Sequence, residues 1–263
     1  PSLLEDKLVK KFPKMNFEII NSSCAGYTII DNCIDLLTKC IFFKPDFVML
    51  YASINDAYLQ PHGSFKEDYS HIRKIPIFPK YNFYKYIPYF KYSYTSYYFK
   101  NLILFLITKV VKKRKSLLHY ISKDDRQYKA NYENLIYIQA VFKSYLKSFD
   151  GICSKNMITP IYMPWQFNSK LVSNPFGYAN ISNWDKQSFV NLLKSNNQRI
   201  FEVSKENSDS IFLNLPQMEE SCFNFKSKND WSHFTATGLG KISENIFNEL
   251  IKNENFMKKI TKK

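Results

Sequence analysis

Asp230 and His233 stand three residues apart in a polar stretch near the C-terminal end of the chain. A carboxylate at this spacing can hold one nitrogen of an imidazole ring and leave the other free to take a proton from a nucleophile. Thr235 follows closely and can cap a helix, so the same residues also fit a solvated helix-capping turn. The pair therefore indicates a general base and its orienting acid only if other residues of a hydrolytic site accompany it.

Two further polar loops each follow an apolar segment that is typical of a β-strand. The first loop contains Gly26 and follows residues 17–20, which we predict to form a short strand. The second contains Asn55 and follows the continuous apolar run 47–51. Glycine lets a backbone N–H face a ligand, and asparagine offers N–H donors without a charge that must be desolvated. Both loops could therefore supply the fixed donors that an oxyanion needs.

Strand-like and helix-like segments alternate on either side of a distinct central region. Helices are predicted at 3–12, 28–43, 132–148, 186–205 and 238–252, and strands at 17–20, 47–51, 156–162 and 210–213. This order predicts a three-layer α/β/α domain with a mainly parallel sheet. Ligands of such sheets bind beyond the carboxyl ends of the strands, where the three polar loops fall. In the second helix, the apolar periodicity predicts that Ile30, Ile34, Leu37 and Ile41 share one face.

Residues 57–130 form the distinct central region. They hold 15 Lys and Arg against 4 Asp and Glu, which is +11 of the chain's net charge of +14, and 12 of its 19 tyrosines. We interpret them as an insertion into the α/β domain, with a helix over 96–115 that ends in four consecutive cations. That helix could be a lid with a solvated basic face or a peripheral contact with an anionic membrane. Nucleic acid or another acidic polymer fits this composition less well.

Other features of the composition bound the function. The five cysteines are scattered and lack C-x-x-C spacing, so they predict neither a disulfide framework nor a zinc site, and no metal or organic cofactor is implied. No signal peptide or bilayer-spanning stretch is visible, which leaves the localisation open between cytoplasmic and membrane-associated. The chain starts at Pro1 rather than Met, so a targeting segment could precede it. Residues 253–263 are predicted to be a basic tail whose end, 258–263, is frayed.

The motifs, taken in order, resemble those of the SGNH, or GDSL-type, hydrolases, a family of serine esterases and acylhydrolases. The resemblance covers roughly residues 1–56 and 131–252. The matching segments are 21–28 (an Asn-led loop ending in Gly-Tyr-Thr), 53–56 (the block G-x-N-D, with Ser53 in place of Gly), 157–160 (a third-strand region ending in Thr-Pro) and 230–238 (D-x-x-H, then Thr and a helix with Gly). The resemblance implies a flavodoxin-like fold and hydrolysis or transfer of an acyl group on an ester.

The resemblance also implies a role for each site residue. The Gly26 N–H and the Asn55 side chain would donate to the oxyanion, His233 would be the general base, and Asp230 would be its orienting partner. Candidate substrates are O-acetyl groups of a glycan, a lipid or a small ester. The alternative function is a non-catalytic binding protein on the same scaffold, which would use the basic insertion to contact a membrane or an acidic polymer.

The family's nucleophilic serine lies in a Gly-Asp-Ser block at the end of its first strand, and this sequence has no such block. That strand is central, so its loss would leave unpaired buried backbone groups at about 1–3 kcal/mol each. We therefore expect a fragment whose block lies upstream of Pro1, rather than a relative that lost it. Ser22, Ser23 and Cys24 could replace the serine, but they lie in the oxyanion loop and are expected to serve packing and local hydrogen bonding.

Overall fold

The computed structural model describes residues 1–63, 65–70, 131–172, 184–224 and 231–261. The helices are α1 (Ser2–Lys11), α2 (Ile29–Thr38), α3 (Ile54–Leu59), α4 (Leu135–Lys155), α5 (Lys186–Glu206), α6 (Ala236–Lys252) and α7 (Glu254–Thr261). The strands are β1 (Phe47–Leu50), β2 (Thr159–Tyr162) and β3 (Ile211–Phe212). Short 3-10 helices lie at Cys40–Phe43 and Glu220–Cys222.

The described strands form one parallel sheet in the order β1-β2-β3. Met49 pairs with Ile161, and Ile161 pairs with Ile211. Parallel neighbours require a long crossover connection, and helix α5 makes the one between β2 and β3. The result is a mixed α/β structure with a small three-strand parallel sheet flanked by helices, which confirms the α/β class predicted from the sequence.

Helices cover both faces of the sheet, because successive strand residues point to opposite sides. On one face, Ile161 and Ile211 pack with apolar residues of α1, α6 and α7. On the other face, Leu50 and Tyr162 pack with residues of α2 and α4, including Phe142. Both β2 faces are buried, as expected for a parallel strand between two helical layers.

The segment 17–20, predicted to be a strand, forms none in the structure. The Ile19 N–H donates to the Glu5 carboxylate at 2.7 Å rather than to a neighbouring strand. Phe17 and Ile19 nevertheless pack against the core on the α1 side of the sheet. The strand prediction was wrong, because a strand needs a hydrogen-bonding neighbour as well as apolar residues. Within the described residues, β1 pairs with β2 alone.

Helix α2 is shorter than predicted and turned about its axis. Of the residues predicted to share one apolar face, Ile34 and Leu37 are 46% and 52% exposed, whereas Ile30 and Ile41 are partly buried. The buried apolar residues of the helix are Ile29, Cys33 and Leu36. The N-cap explains where the helix begins: the Asp31 carboxylate accepts from both the backbone N–H and the hydroxyl of Thr28. Lys44 then takes a left-handed conformation that ends the following 3-10 turn.

The C-terminal segment 253–263, predicted to be a basic tail with a frayed end, is mostly the helix α7. Phe256 and Ile260 are buried at helical spacing. The Lys259 ammonium donates to the Met157 carbonyl at 3.0 Å and to the Thr159 hydroxyl at 2.8 Å. The basic residues around that apolar pair led to the wrong prediction, although the i, i+4 spacing was visible in the sequence.

The start of the predicted insertion belongs to the core. Helix α3 crosses residue 57, where the insertion was placed, and Tyr58 and Tyr69 are buried. Residues 71–130, with the helix predicted over 96–115, lie outside the described residues. No helix in the described ranges is both long and apolar enough to cross a bilayer.

Candidate active site

Strand β1 leads through a tight turn into α3, and this turn places Asn55. Ser53 in the turn has a φ of 126°, a conformation that L residues rarely adopt and that glycine tolerates. The backbone of Ser53 therefore has a glycine-like conformation, at the position where the motif considered in the sequence analysis has glycine. Such strain costs about 1–3 kcal/mol and tends to persist at functional sites.

The side chain of Asn55, one of the two predicted oxyanion donors, contacts the loop that carries the other, Gly26. The Asn55 Nδ2 donates to the Tyr27 carbonyl at 2.8 Å, directly beside Gly26. Gly26 itself has a φ of +84°, which explains the glycine in this loop. A carboxamide carries two N–H donors, so Asn55 keeps one for a ligand while the other holds the loop.

The backbone of the Gly26 loop is well placed to receive a ligand. Gly26 is exposed, and a Cβ built there would meet nothing within 4 Å. No hydrogen bond between described residues uses the Gly26 N–H. This amide can therefore act as a donor without breaking an internal hydrogen bond.

Asp56, the neighbour of Asn55, makes a second connection from α3. It is fully buried, and its Oδ1 accepts from the Ile29 N–H at 3.1 Å. Burial raises the pKa of this carboxyl to about 7. The sequence placed Asp56 in a motif but assigned it no role, because its partner is 27 residues away and cannot be read from local spacing.

The loop that carries His233 is fixed through its backbone. The Asn224 N–H donates to the His233 carbonyl at 2.9 Å, and the Asn224 side chain donates to the Phe234 carbonyl at 3.0 Å. The Thr235 N–H donates to the Cys222 carbonyl at 2.8 Å. The His233 side chain is exposed, so the fixed backbone presents the imidazole at the surface.

Trp231 attaches this loop to the same apolar cluster as α3. Its side chain is 2% exposed and meets Phe189 edge-on, with ring centroids 6.1 Å apart. The cluster also includes Ile54 and Ala57 of α3, on either side of Asn55 in the sequence. The His233 loop and the Asn55 turn are thus held by one packed unit. Asp230 lies in 225–230, outside the described residues.

Gly238, in the first turn of α6, sets how closely the helix approaches Cys222. A Cβ at this position would lie 2.1 Å from the Cys222 carbonyl oxygen, whereas one at Gly240 would meet nothing within 4 Å. We expect Gly238→Ala to lower the free energy of unfolding by about 1–3 kcal/mol through overpacking.

The matched control is Gly240→Ala in the same helix. It should raise the free energy of unfolding by about 0.5–1 kcal/mol, because alanine has the higher helix propensity and space is available. Urea unfolding of both variants measures the difference. Equal stability of the two variants would contradict the close contact at Cys222.

The three possible replacement nucleophiles make local contacts. The Ser22 hydroxyl donates to Asp35 at 2.5 Å, and the Ser23 hydroxyl donates to Asn21 at 2.6 Å. Cys24 is exposed, and its Sγ lies 3.8 Å from the Ala25 carbonyl oxygen. These contacts agree with the packing and local hydrogen bonding expected for the loop.

A groove of about 370 Å³ lies near the carboxyl ends of β2 and β3. Trp165 forms part of its wall and stacks on Tyr51, with ring centroids 4.2 Å apart. The Asn197 side chain bonds both the N–H and the carbonyl of Trp165, each at 2.9 Å. No role was predicted from the sequence for the groove-lining segment 164–169. Its pattern is irregular, and the groove depends on contacts between residues that are distant in the sequence.

Comparison of the chain with known protein families, with curated proteins and with solved structures found no match. The functional argument therefore depends on the site itself. Among the predicted site residues, Asn55 donates a hydrogen bond to Tyr27, the residue that follows Gly26. The residue Trp231, two positions before His233, packs in the same apolar cluster as Ile54 and Ala57 of α3.

Proposed function

We propose that this chain forms the greater part of an SGNH-type serine hydrolase or acyl transferase that acts on an acyl ester. The observation that supports this most is the hydrogen bond from Asn55 to the Tyr27 carbonyl, because it brings the Asn55 side chain to the residue that follows Gly26. The glycine-like backbone of Ser53 adds to this support, since it matches the conformation that the motif glycine would provide.

In the proposed mechanism, the Gly26 N–H and the second N–H of Asn55 donate to the substrate oxygen as negative charge develops on it. Each such donor contributes about 3 kcal/mol to transition-state stabilisation. His233 takes the proton from the serine hydroxyl and then gives it to the leaving alkoxide, while Asp230 holds the imidazole in the required tautomer.

The nucleophilic serine is proposed to lie on a further strand that pairs with the open side of β1. Val48 packs towards the α2 side of the sheet and Met49 towards the α1 side, so both faces of β1 are at least half-buried under helical layers. Yet its backbone pairs with β2 alone among the described residues. Parallel strands buried on both faces usually have neighbours on both sides. A parallel strand here would end beside the Asn55 turn.

The groove at Trp165 is the proposed site for the part of the substrate beyond the ester. An aromatic wall accompanied by a few polar groups is typical of small-molecule sites. Lys194, Asn197 and Gln217 supply the polar groups. The combination favours an acetylated sugar over a purely apolar acyl chain, and a lipid or a small ester are the alternatives.

Substitution of Asn55 tests the oxyanion proposal in the protein extended by the upstream codons of its gene. Asn55→Ala should lower kcat for p-nitrophenyl acetate by about 10²- to 10³-fold with a small change in KM, because the lost donor acts on the transition state. Steady-state kinetics with matched enzyme concentrations measures both constants.

The control is Asn156→Ala. Asn156 also donates its side-chain amide to a backbone carbonyl, that of Ile152 at 2.7 Å, but it follows α4 just before β2, at the opposite end of the sheet. It should leave kcat within about twofold. Equal effects of the two substitutions would contradict an oxyanion role for Asn55. They would favour the binding-protein alternative if turnover were also absent from the unsubstituted protein.

A further inference from the structure

Two consecutive residues of α3 form hydrogen bonds to the residues immediately before and after Thr28. Asn55 donates to the Tyr27 carbonyl, and Asp56 accepts from the Ile29 N–H. The Ile29 amide belongs to the first turn of α2, where backbone N–H groups have no partner within the helix. Asp56 supplies that partner from another element, and the Gly26 loop ends at this point.

We propose that Asp56 is a positioning residue that fixes the Gly26 loop by holding the first amide of α2. A role for Asp56 in catalysis rests on the proposed function. The hydrogen bond from the Ile29 N–H to Asp56 can be tested without measuring turnover. Without Asp56, α3 would bond the loop only at the Tyr27 carbonyl, through Asn55. The two contacts together restrain the direction of the Gly26 N–H.

The surroundings of Asp56 contain no cation among the described groups that influence it. Cys33 and Asp31 face it from α2, and the Tyr69 hydroxyl interacts with it from the turn at 65–70. Gln60, which directly follows α3, also interacts with Tyr69, and its side chain accepts from Asn196 of α5 at 2.9 Å. Burial therefore dominates and raises the pKa of Asp56 to about 7, although the Ile29 amide and Tyr69 lower it in part.

Protonation of Asp56 has opposite effects on the whole fold and on the loop. The folded state binds one more proton than the unfolded state between the ordinary aspartate pKa and about 7, so overall stability falls as pH rises through that window. The ionised carboxylate nevertheless accepts more strongly from the Ile29 N–H and favours the helix N-terminus. Protection of the loop should therefore rise as pH increases from about 6 to 8.

Amide hydrogen exchange of the 263-residue chain, corrected for intrinsic exchange rates, tests this proposal. Asp56→Ala should lower the protection of Ile29 and Tyr27 by about tenfold or more. Asp56→Asn keeps an Oδ1 acceptor, so it should retain the protection seen at pH 6 but lose the rise towards pH 8. Asp150→Ala is the control, since Asp150 accepts from three side chains elsewhere in the structure and should leave the loop unchanged.

Unchanged protection in Asp56→Ala would overturn the proposal, as would an equal loss of protection in Asp150→Ala. If Asp56→Ala does not fold, loop protection is compared between the unsubstituted chain and Asp56→Asn from pH 6 to 8. An equal change of protection with pH in both proteins would overturn the proposal. Because these measurements involve no substrate, their failure is distinct from a failure of the proposed esterase activity.

Discussion

Replacing His233 with alanine, in the protein extended by the upstream codons of its gene, should lower kcat for p-nitrophenyl acetate by about 10⁴- to 10⁶-fold. A serine hydroxyl is a weak nucleophile at neutral pH unless a base accepts its proton. KM should change little, because the imidazole acts on the reaction rather than on substrate binding. Steady-state kinetics, with single-turnover measurements for the slow variant, gives both constants.

The backbone hydrogen bond from Asn224 to this loop uses the His233 carbonyl, which alanine retains. Circular dichroism and urea unfolding should match the unsubstituted protein. A loss below about tenfold would contradict the role as general base. Asp230→Asn should cost nearly as much if Asp230 fixes the tautomer, and little if it only caps a helix.

Those parts of the site that depend on short-range patterns could be predicted from the sequence. The continuous apolar run before Asn55 indicated a buried parallel strand, and β1 lies within it. Because ligand-binding loops follow strands in such sheets, the Gly26 loop and the Asn55 turn were expected to meet, and the hydrogen bond from Asn55 to Tyr27 brings them together.

Features that depend on distant partners could not be predicted. The segment 17–20 has the alternation of a strand, but only tertiary structure decides whether a neighbour is present to pair with it. Which residues of α2 are buried depends on its packing against α4, a helix far away in the sequence. The role proposed for Asp56 depends on a contact with Ile29 that no local motif contains.

The origin of the nucleophile is the central claim, and turnover of p-nitrophenyl acetate by two proteins tests it most directly. One is the chain of 263 residues, and the other is the same chain extended by the upstream codons of its gene. We predict no turnover above background for the first, since the oxyanion donors alone give little rate. For the second we predict turnover that His233→Ala abolishes. Equal turnover by both proteins would contradict the account and would direct attention to Ser22, Ser23 and Cys24.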